Sequence, residues 1–168
     1  MLSQAEFLNS FGVSVIITIV GTALAIFITV TAAYPLSKPR LLGRKVFLLL
    51  FIFIMLFNGG MIPNYLLYKS LNLLNNIWAL IFSGMLSVFN ILLIKTFFEQ
   101  LPESVEESAR IDGASNLRTL FSVVIPMSMP VIATVSLFYA VGYWNSYFAG
   151  VMYITKPSLK PLQQYLYD

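Results

Sequence analysis

The sequence has neither cysteine nor histidine among its 168 residues, and few of its residues are charged. Without cysteine the chain forms no disulfide and offers no thiolate, and without histidine it lacks the commonest general base and metal ligand. Charged residues make up 10% of the chain, and five of the seven acidic ones lie in one loop, at 95–125. The composition therefore argues against catalysis by this chain, against a metal site and against a cofactor.

Basic residues are sparse as well, and their arrangement argues against binding to nucleic acid. The formal net charge is +3, and the ten lysines and arginines lie scattered at the ends of apolar runs. Proteins that bind nucleic acid carry a clustered basic face, often interleaved with aromatic residues, and this chain has none. We therefore expect no nucleic-acid partner.

Long hydrophobic runs make up most of the chain. Hydrophobic residues account for 58% of it, and its mean hydropathy is +0.83, which is more apolar surface than a soluble domain of this size can bury. Four charge-free stretches exceed the roughly 20 residues that cross a bilayer as a helix. They predict an all-α integral membrane protein, a multi-span helical bundle in lipid, with spans near residues 11–34, 46–62, 77–94 and 130–153. The first is too long for a cleaved signal peptide and lacks the basic residues before it.

The positions of lysine and arginine predict the orientation of these spans. Four cations lie at 38–45 and three at 95–118, whereas only Lys69, Lys156 and Lys160 fall on the opposite side. Because lysine and arginine collect in cytoplasmic loops, we expect the 35–45 turn and the 95–125 loop inside the cell. The N-terminus is then outside, and the protein is expected to be a multi-pass protein of the cell membrane.

The first predicted span carries a stripe of small residues at a spacing of four. Such a stripe lets a second helix approach closely in lipid, where packing drives helix association. The second helix is either another span of the same subunit or a span of a second subunit. The stripe consists of Gly21, Ala25, Thr29 and Ala33.

Two short amphipathic helices are predicted in the cytoplasmic loop. The first runs over 102–112, with Val105 and Ala109 forming its narrow apolar stripe, and Gly113 ends it at the C-cap. Glu106 and Arg110 are spaced to form an ion pair along this helix. The second helix is predicted to turn four apolar residues inward before Pro126; they are Leu117, Leu120, Phe121 and Val124.

The order of residues in this loop resembles a family signature. Glu107-Ser108-Ala109, then Gly113, then Val123-Val124-Ile125-Pro126 is similar to the Glu-Ala-Ala…Gly…Ile-x-Leu-Pro signature of the permeases of binding-protein-dependent ABC importers. The stretches Ile111-Asp112-Gly113-Ala114, Ala33-Tyr34-Pro35-Leu36-Ser37 and Tyr143-Trp144-Asn145 resemble the carbohydrate branch of that family. The resemblance covers essentially the whole chain, 1–168, as an ABC transmembrane type-1 domain. Because family members have more spans than four, the domain is expected to be incomplete at both ends.

The resemblance implies a function and a set of partners. The chain is expected to be a permease subunit that pairs with a second homologous permease, receives solute from an extracellular or periplasmic binding protein, and is driven by cytoplasmic ATPase subunits. No phosphate-binding Gly-rich loop occurs in the chain, which fits a subunit whose ATP is hydrolysed by a partner. The resemblance implies ATPase coupling by Val105, Glu107, Ser108, Ala109, Asp112, Gly113, Ala114 and Pro126.

Sugars or oligosaccharides are the expected substrate class. Aromatic faces and amide groups bind sugars, so polar and aromatic residues in the third and fourth spans are candidates for the substrate path. The alternative is that they pack between helices or at the membrane interface. These residues are Asn90, Tyr139, Tyr143, Trp144 and Asn145.

Two other classes of membrane protein stay open as alternatives. A secondary transporter is one, although the predicted span cores contain no Asp, Glu, Lys, Arg or His for ion coupling. A membrane enzyme or scaffold is the other. In this chain the carboxylates follow amphipathic helices and do not converge at one point, which is not typical of an active site.

Overall fold

The computed structural model describes residues 4–57 and 59–167, and every regular element within those ranges is helical. The expected all-α class is therefore confirmed. A π-helical turn covers Leu120–Val124, and a 3₁₀ turn covers Pro157–Leu159. The α-helices are α1 Gln4–Ser37, α2 Arg44–Leu56, α3 Met61–Ser70, α4 Ile77–Gly84, α5 Val88–Glu99, α6 Glu103–Ile111, α7 Asn116–Thr119, α8 Ile125–Met127, α9 Met129–Trp144, α10 Tyr147–Tyr153 and α11 Leu162–Tyr167.

One helix in the described ranges is long and apolar enough to cross a membrane unaided. This helix is α1, whose qualifying part runs over Glu6–Ser37 and contains the first predicted span. Three more spans are counted if each of three consecutive pairs forms one broken span: α2 with α3, α4 with α5, and α7–α8 with α9. Each of the other three predicted spans overlaps one of these pairs.

The third and fourth predicted spans are not continuous helices. The third is interrupted at residues 85–87, between Gly84 and Val88, and Ser87 caps the new helix by accepting a hydrogen bond from the Asn90 N–H at 3.3 Å. The fourth is interrupted at residues 145–146. Glycine weakens a helix and a serine N-cap starts a new one, which accounts for the first break. Within the second predicted span, 46–62, helix α2 ends at Leu56 and α3 begins at Met61. Asn58, between these helices, lies outside the described residues.

The described chain divides into two compact units. Unit 1 takes residues from 1–25, 57–86 and 137–168, and unit 2 takes residues from 26–56 and 87–136. All seven cations predicted to be cytoplasmic belong to unit 2, and the three predicted to be external belong to unit 1. The grouping of backbone contacts thus follows the division made by the positive-inside rule.

In unit 1, Tyr143 is buried, and side-chain oxygens of Asn75 and Ser14 accept hydrogen bonds from the C-terminal segment. Asn75, with φ +57°, accepts three hydrogen bonds through Oδ1: from the Thr155 N–H and hydroxyl at 2.7 and 2.9 Å, and from the Lys156 N–H at 2.9 Å. Ser14 accepts another from the Leu162 N–H at 2.7 Å. The Ser14–Leu162 bond is buried, where an N–H needs a partner, and together the four hydrogen bonds hold the segment that follows α10.

In unit 2 a π-helical turn precedes Pro126. A proline at 126 has no N–H to donate to the carbonyl of residue 122, and its ring would clash with that carbonyl in a regular α-helix. The chain widens instead, and the Ile125 N–H donates to the Leu120 carbonyl five residues earlier. The helix then bends by 85° at residue 128, before α9.

Only part of the apolar face predicted for the second loop helix is buried. Leu120 and Val124 are buried, as predicted, but Leu117 and Phe121 are 67% and 50% exposed. The prediction that all four point inward was therefore wrong. The buried row runs through Leu120, Val124 and Ser128, whereas Leu117 and Phe121 form a neighbouring row that is exposed.

Candidate functional site

Helix α6 ends at a left-handed glycine. Gly113 has φ +81°; its N–H donates to the Arg110 carbonyl at 3.0 Å, and the Ala114 N–H donates to the Ala109 carbonyl at 2.9 Å. These two hydrogen bonds satisfy carbonyls in the last turn of the helix, as in a Schellman motif. The left-handed C-cap predicted for Gly113 is confirmed, and α6 is one residue shorter at each end than the predicted 102–112.

Glu106 is the one buried residue that the structure gives to α6. Its carboxylate pairs with Lys38 Nζ at the end of α1, and the Tyr34 hydroxyl lies 3.5 Å from Oε2. Arg110 Nη2 lies 3.9 Å from the same oxygen, so the predicted pair along the helix is present but long. A carboxylate is stable in such a place because cations compensate for its lost hydration.

The link between Glu106 and Lys38 was not predicted from the sequence. The two residues lie 68 positions apart, and no local periodicity connects them. The sequence did hold a weak signal, because Lys38 is the first cation after the first span in a chain with few charges. A cation at a span end needs a carboxylate partner or water.

A second ion-paired cluster fixes the start of α2. Glu99, near the end of α5, pairs with Arg44 and with Lys95, whose Nζ lies 2.9 Å away. Arg44 Nε also donates to the Leu36 carbonyl at 2.8 Å. The turn between α1 and α2 is therefore held by one carboxylate from α5 and one from α6.

A cleft of about 950 Å³ opens beside these two clusters within unit 2. The end of α1, the following turn, the end of α5 and helices α6 and α7 line it. Its polar lining includes Lys38, Arg40, Glu106, Glu107 and Arg110. The cleft therefore presents charge of both signs next to the exposed face of α6.

The residues implied in ATPase coupling mostly lie at the surface of this region. Val105, Ala109 and Ala114 are half-buried. The exposed ones are Glu107, Ser108, Asp112, Gly113 and Pro126. Glu106 and Glu107 are neighbours in sequence with opposite environments, because successive residues on a helix point about 100° apart. One faces the protein and the other faces solvent.

The four small residues of the α1 stripe are all buried. A Cβ placed on Gly21 would lie 2.6–2.8 Å from ring atoms of Tyr143 on α9. That separation is closer than real Cβ contacts allow, so only glycine fits there. For Gly21, the second helix is thus a helix of the same chain.

Tyr143 lies in a tight packing site. Its ring also approaches Gly84, where an added Cβ would be 3.0 Å away, and its hydroxyl donates to the Ile81 carbonyl at 2.7 Å. That carbonyl belongs to the last turn of α4, which has no further helix to continue its hydrogen bonds. The geometry gives Tyr143 a packing role and a capping role, and Tyr139 is buried on the same helix.

Trp144 and Asn145 lie at the break between α9 and α10. The Trp144 ring meets Phe11 edge to face at 6.0 Å, and the exposed Asn145 amide donates to the Val141 carbonyl at 3.0 Å. Asn90 is buried near the start of α5, in unit 2. Trp144 and Asn145 are therefore neighbours in unit 1, whereas Asn90 belongs to unit 2.

Comparison with known proteins identifies the family. Residues 12–167 match the model of the family described as binding-protein-dependent transport system inner membrane component. Protein LplC of Bacillus subtilis (strain 168) is 51% identical over 166 residues, which are 99% of this chain and 56% of the relative. The polygalacturonan/rhamnogalacturonan transport system permease protein YtcP of the same organism is 47% identical over 155 residues, 92% of this chain and 54% of the relative.

A solved structure shares the fold. It is the crystal structure of a bacterial ABC transporter involved in the import of the acidic polysaccharide alginate, with a TM-score of 0.93 and 38% identity over 96% of this chain and 57% of that chain. The chain spans little more than half the length of these relatives. Its fold is that of an ABC type-1 permease. By sequence and by fold, the chain belongs to the family of inner membrane components of binding-protein-dependent transport systems.

Proposed function

We propose that this chain is the membrane-spanning core of a permease subunit in an ATP-driven importer, and that α6 is the helix to which a cytoplasmic ATPase subunit binds. The observation that carries the proposal is the exposed outer face of α6. Glu106 holds the opposite face of the helix against the protein, and the left-handed Gly113 ends the helix. A short helix held in this way offers a partner a defined surface. Hydrolysis then belongs to the partner chain.

Closure of the ATPase subunits moves α6, and the spans attached to α6 move with it as rigid bodies. A second homologous permease encloses the other side of the path, and a solute-binding protein outside the cell delivers the substrate. This arrangement needs no catalytic side chain on the permease. It needs a firm connection from α6 to the spans.

Charge reversal at Glu107 tests the proposal. In the full-length permease, Glu107→Lys is expected to lower both retention of the ATPase in a pull-down and transport, because it reverses the charge on the exposed face of α6. Glu107→Gln keeps the shape, so its effect should be smaller. Normal ATPase retention and normal transport in both variants would remove α6 from the mechanism.

The proposed orientation places α6 in the cytoplasm and is testable by labelling. The chain contains no cysteine, so a single Leu42→Cys or Ser108→Cys variant reports one position without background. Both residues are exposed. A membrane-impermeant maleimide should label them only after the cells are opened. Efficient labelling from outside intact cells would contradict the orientation.

We also propose that the substrate is a sugar chain, and specifically an acidic oligosaccharide. Two similar proteins support this: YtcP is named for polygalacturonan and rhamnogalacturonan transport, and the solved ABC transporter imports alginate. Trp144 and Asn145, at the break in the fourth span, offer an aromatic face and an amide, which are the groups that recognise sugars.

Replacement of Trp144 separates a role in the substrate path from one in packing. Trp144→Ala is expected to lower substrate-stimulated transport, while basal ATP hydrolysis by the assembled complex stays intact. Phe11→Ala is the matched control, because it removes the edge-to-face partner of Trp144 and leaves the indole in place. Equal loss of transport and hydrolysis in Trp144→Ala, matched by Phe11→Ala, would mark Trp144 as a packing residue.

A further inference from the structure

Helix α6 places few apolar side chains against the rest of unit 2. Ile111 is 86% exposed, Val105 and Ala109 are only half-buried, and the one buried residue of the helix is the carboxylate Glu106. A helix is usually held by an apolar stripe facing the core. Here a charged side chain holds that position.

The surroundings of Glu106 are built for a charge. Lys38 pairs with it, Arg110 approaches it, and the Tyr34 hydroxyl points toward it. Lys38 Nζ also lies 4.8 Å from the centroid of the Tyr34 ring, in range of a cation–π contact. The Tyr34 ring is held in turn by Phe98, edge to face at 6.3 Å. Tyr34 lies in the last turn of α1, and Lys38 directly follows the helix.

We infer that Glu106 is a positioning residue that ties α6 to the end of α1, so that displacement of α6 is passed to the first span through the Glu106–Lys38 ion pair. This inference rests on the proposed function and assigns separate roles to two adjacent glutamates. Glu107 faces the partner, and Glu106 faces the span. Separating α6 from α1 would break the Glu106–Lys38 ion pair and the contact with the Tyr34 hydroxyl, and these contacts favour movement of the two helices together.

The second ion cluster does not duplicate this link. Glu99 ties α2 to α5, and none of its contacts involves α6. Within the described residues, the Glu106 cluster is therefore the charged connection between α6 and a span. Its loss should disconnect α6 while leaving the other spans in place.

The test uses full-length permease assembled with its ATPase and measures ATPase retention, ATP hydrolysis and transport per ATP. Glu106→Gln and Lys38→Met are each expected to keep the ATPase bound but to lower transport per ATP about tenfold, the change that corresponds to about 1.4 kcal/mol of lost ion-pair energy. The charge swap Glu106→Lys with Lys38→Glu should restore part of the loss, because it rebuilds the ion pair but places a second cation near Arg110. Lys45→Met is the matched control, because Lys45 lies in the same turn and is exposed.

Wild-type transport in both single variants, or a charge swap no better than its singles, would overturn the inference. If the single variants fail to assemble, a zero-length carbodiimide cross-link in the wild-type permease gives the answer. A Lys38–Glu106 cross-link should form both without nucleotide and in the ATP-bound complex, and its absence from either state would contradict the inference. Failure of the wild-type permease to bind any ATPase would instead reject the proposed function.

Discussion

Two parts of this protein hold their helices together by opposite means. Around Tyr143, in unit 1, an aromatic ring fits against two glycines, and one hydrogen bond from its hydroxyl fixes it. Around Glu106, in unit 2, a buried carboxylate meets two cations and a tyrosine hydroxyl. The first arrangement depends on shape and the second on charge.

The proposed orientation in the membrane accounts for this difference, because it places the two parts in different solvents. In lipid the tails are as apolar as the side chains, so close packing of small residues and satisfied backbone groups drive helix association. At a membrane surface water is present, and an ion pair can hold a helix that has little apolar area. Changes of size should therefore damage the Tyr143 region most, and changes of charge the Glu106 region.

Ala25→Leu should have the largest effect on the shape-dependent region. Ala25 has no exposed surface, and three added carbons overpack the site, at a cost of about 1–3 kcal/mol. We expect a lower melting temperature and a lower yield of the assembled complex from the full-length protein. Ala23→Leu is the control, because Ala23 is exposed on the same helix. Equal behaviour of the two variants would mean that the stripe does not face a helix.

Gly21→Ala should have a somewhat smaller effect of the same kind. A single methyl group must displace the Tyr143 ring, which breaks its hydrogen bond to Ile81. We expect the melting temperature to fall by about 3–6 °C. On the same helix, Gly12→Ala adds its methyl group to open space, so it should leave the melting temperature unchanged or raise it slightly. A Gly21→Ala variant as stable as Gly12→Ala would show that Tyr143 is not tightly packed.

Gly113→Val should have the smallest effect on stability and a specific effect on function. No atom lies within 4 Å of an added Cβ, so the cost comes only from the left-handed backbone, about 1–2 kcal/mol. The valine should redirect the chain after α6 and uncouple hydrolysis from transport, while the permease still inserts. Asparagine tolerates this backbone, so Gly113→Asn should stay coupled. The measurement is ATP used per transported molecule, which should rise in Gly113→Val and stay near the wild-type value in Gly113→Asn. The same ratio in both variants would contradict the role given to Gly113.

Local patterns predicted the parts of the fold that depend on local chemistry. The position of the first span within α1, the extent of α6 and the conformation of Gly113 follow from apolar runs, capping residues and the freedom of glycine. The breaks at residues 85–87 and 145–146 were missed, because the apolar runs continue through them. At the first break, Gly84 lies against Tyr143, a residue 59 positions later, and that contact is tertiary.

The candidate site was predicted in outline but not in its connections. The sequence identified the loop helix and its exposed residues, yet it placed Glu106 only in a pair with Arg110. The pairing with Lys38 and Tyr34 spans about 70 residues of chain, and no spacing rule reaches so far. Leu117 and Phe121 were misplaced because helical spacing alone does not distinguish their row from the neighbouring row of Leu120 and Val124.

Hydrogen–deuterium exchange of the full-length permease, with and without its ATPase subunits, tests most directly whether α6 is the surface that the ATPase binds. Binding of the ATPase is predicted to slow exchange in Glu103–Ile111 and to leave exchange in Tyr147–Tyr153 unchanged. Unchanged exchange in Glu103–Ile111 on binding, or equal slowing in both segments, would contradict the account.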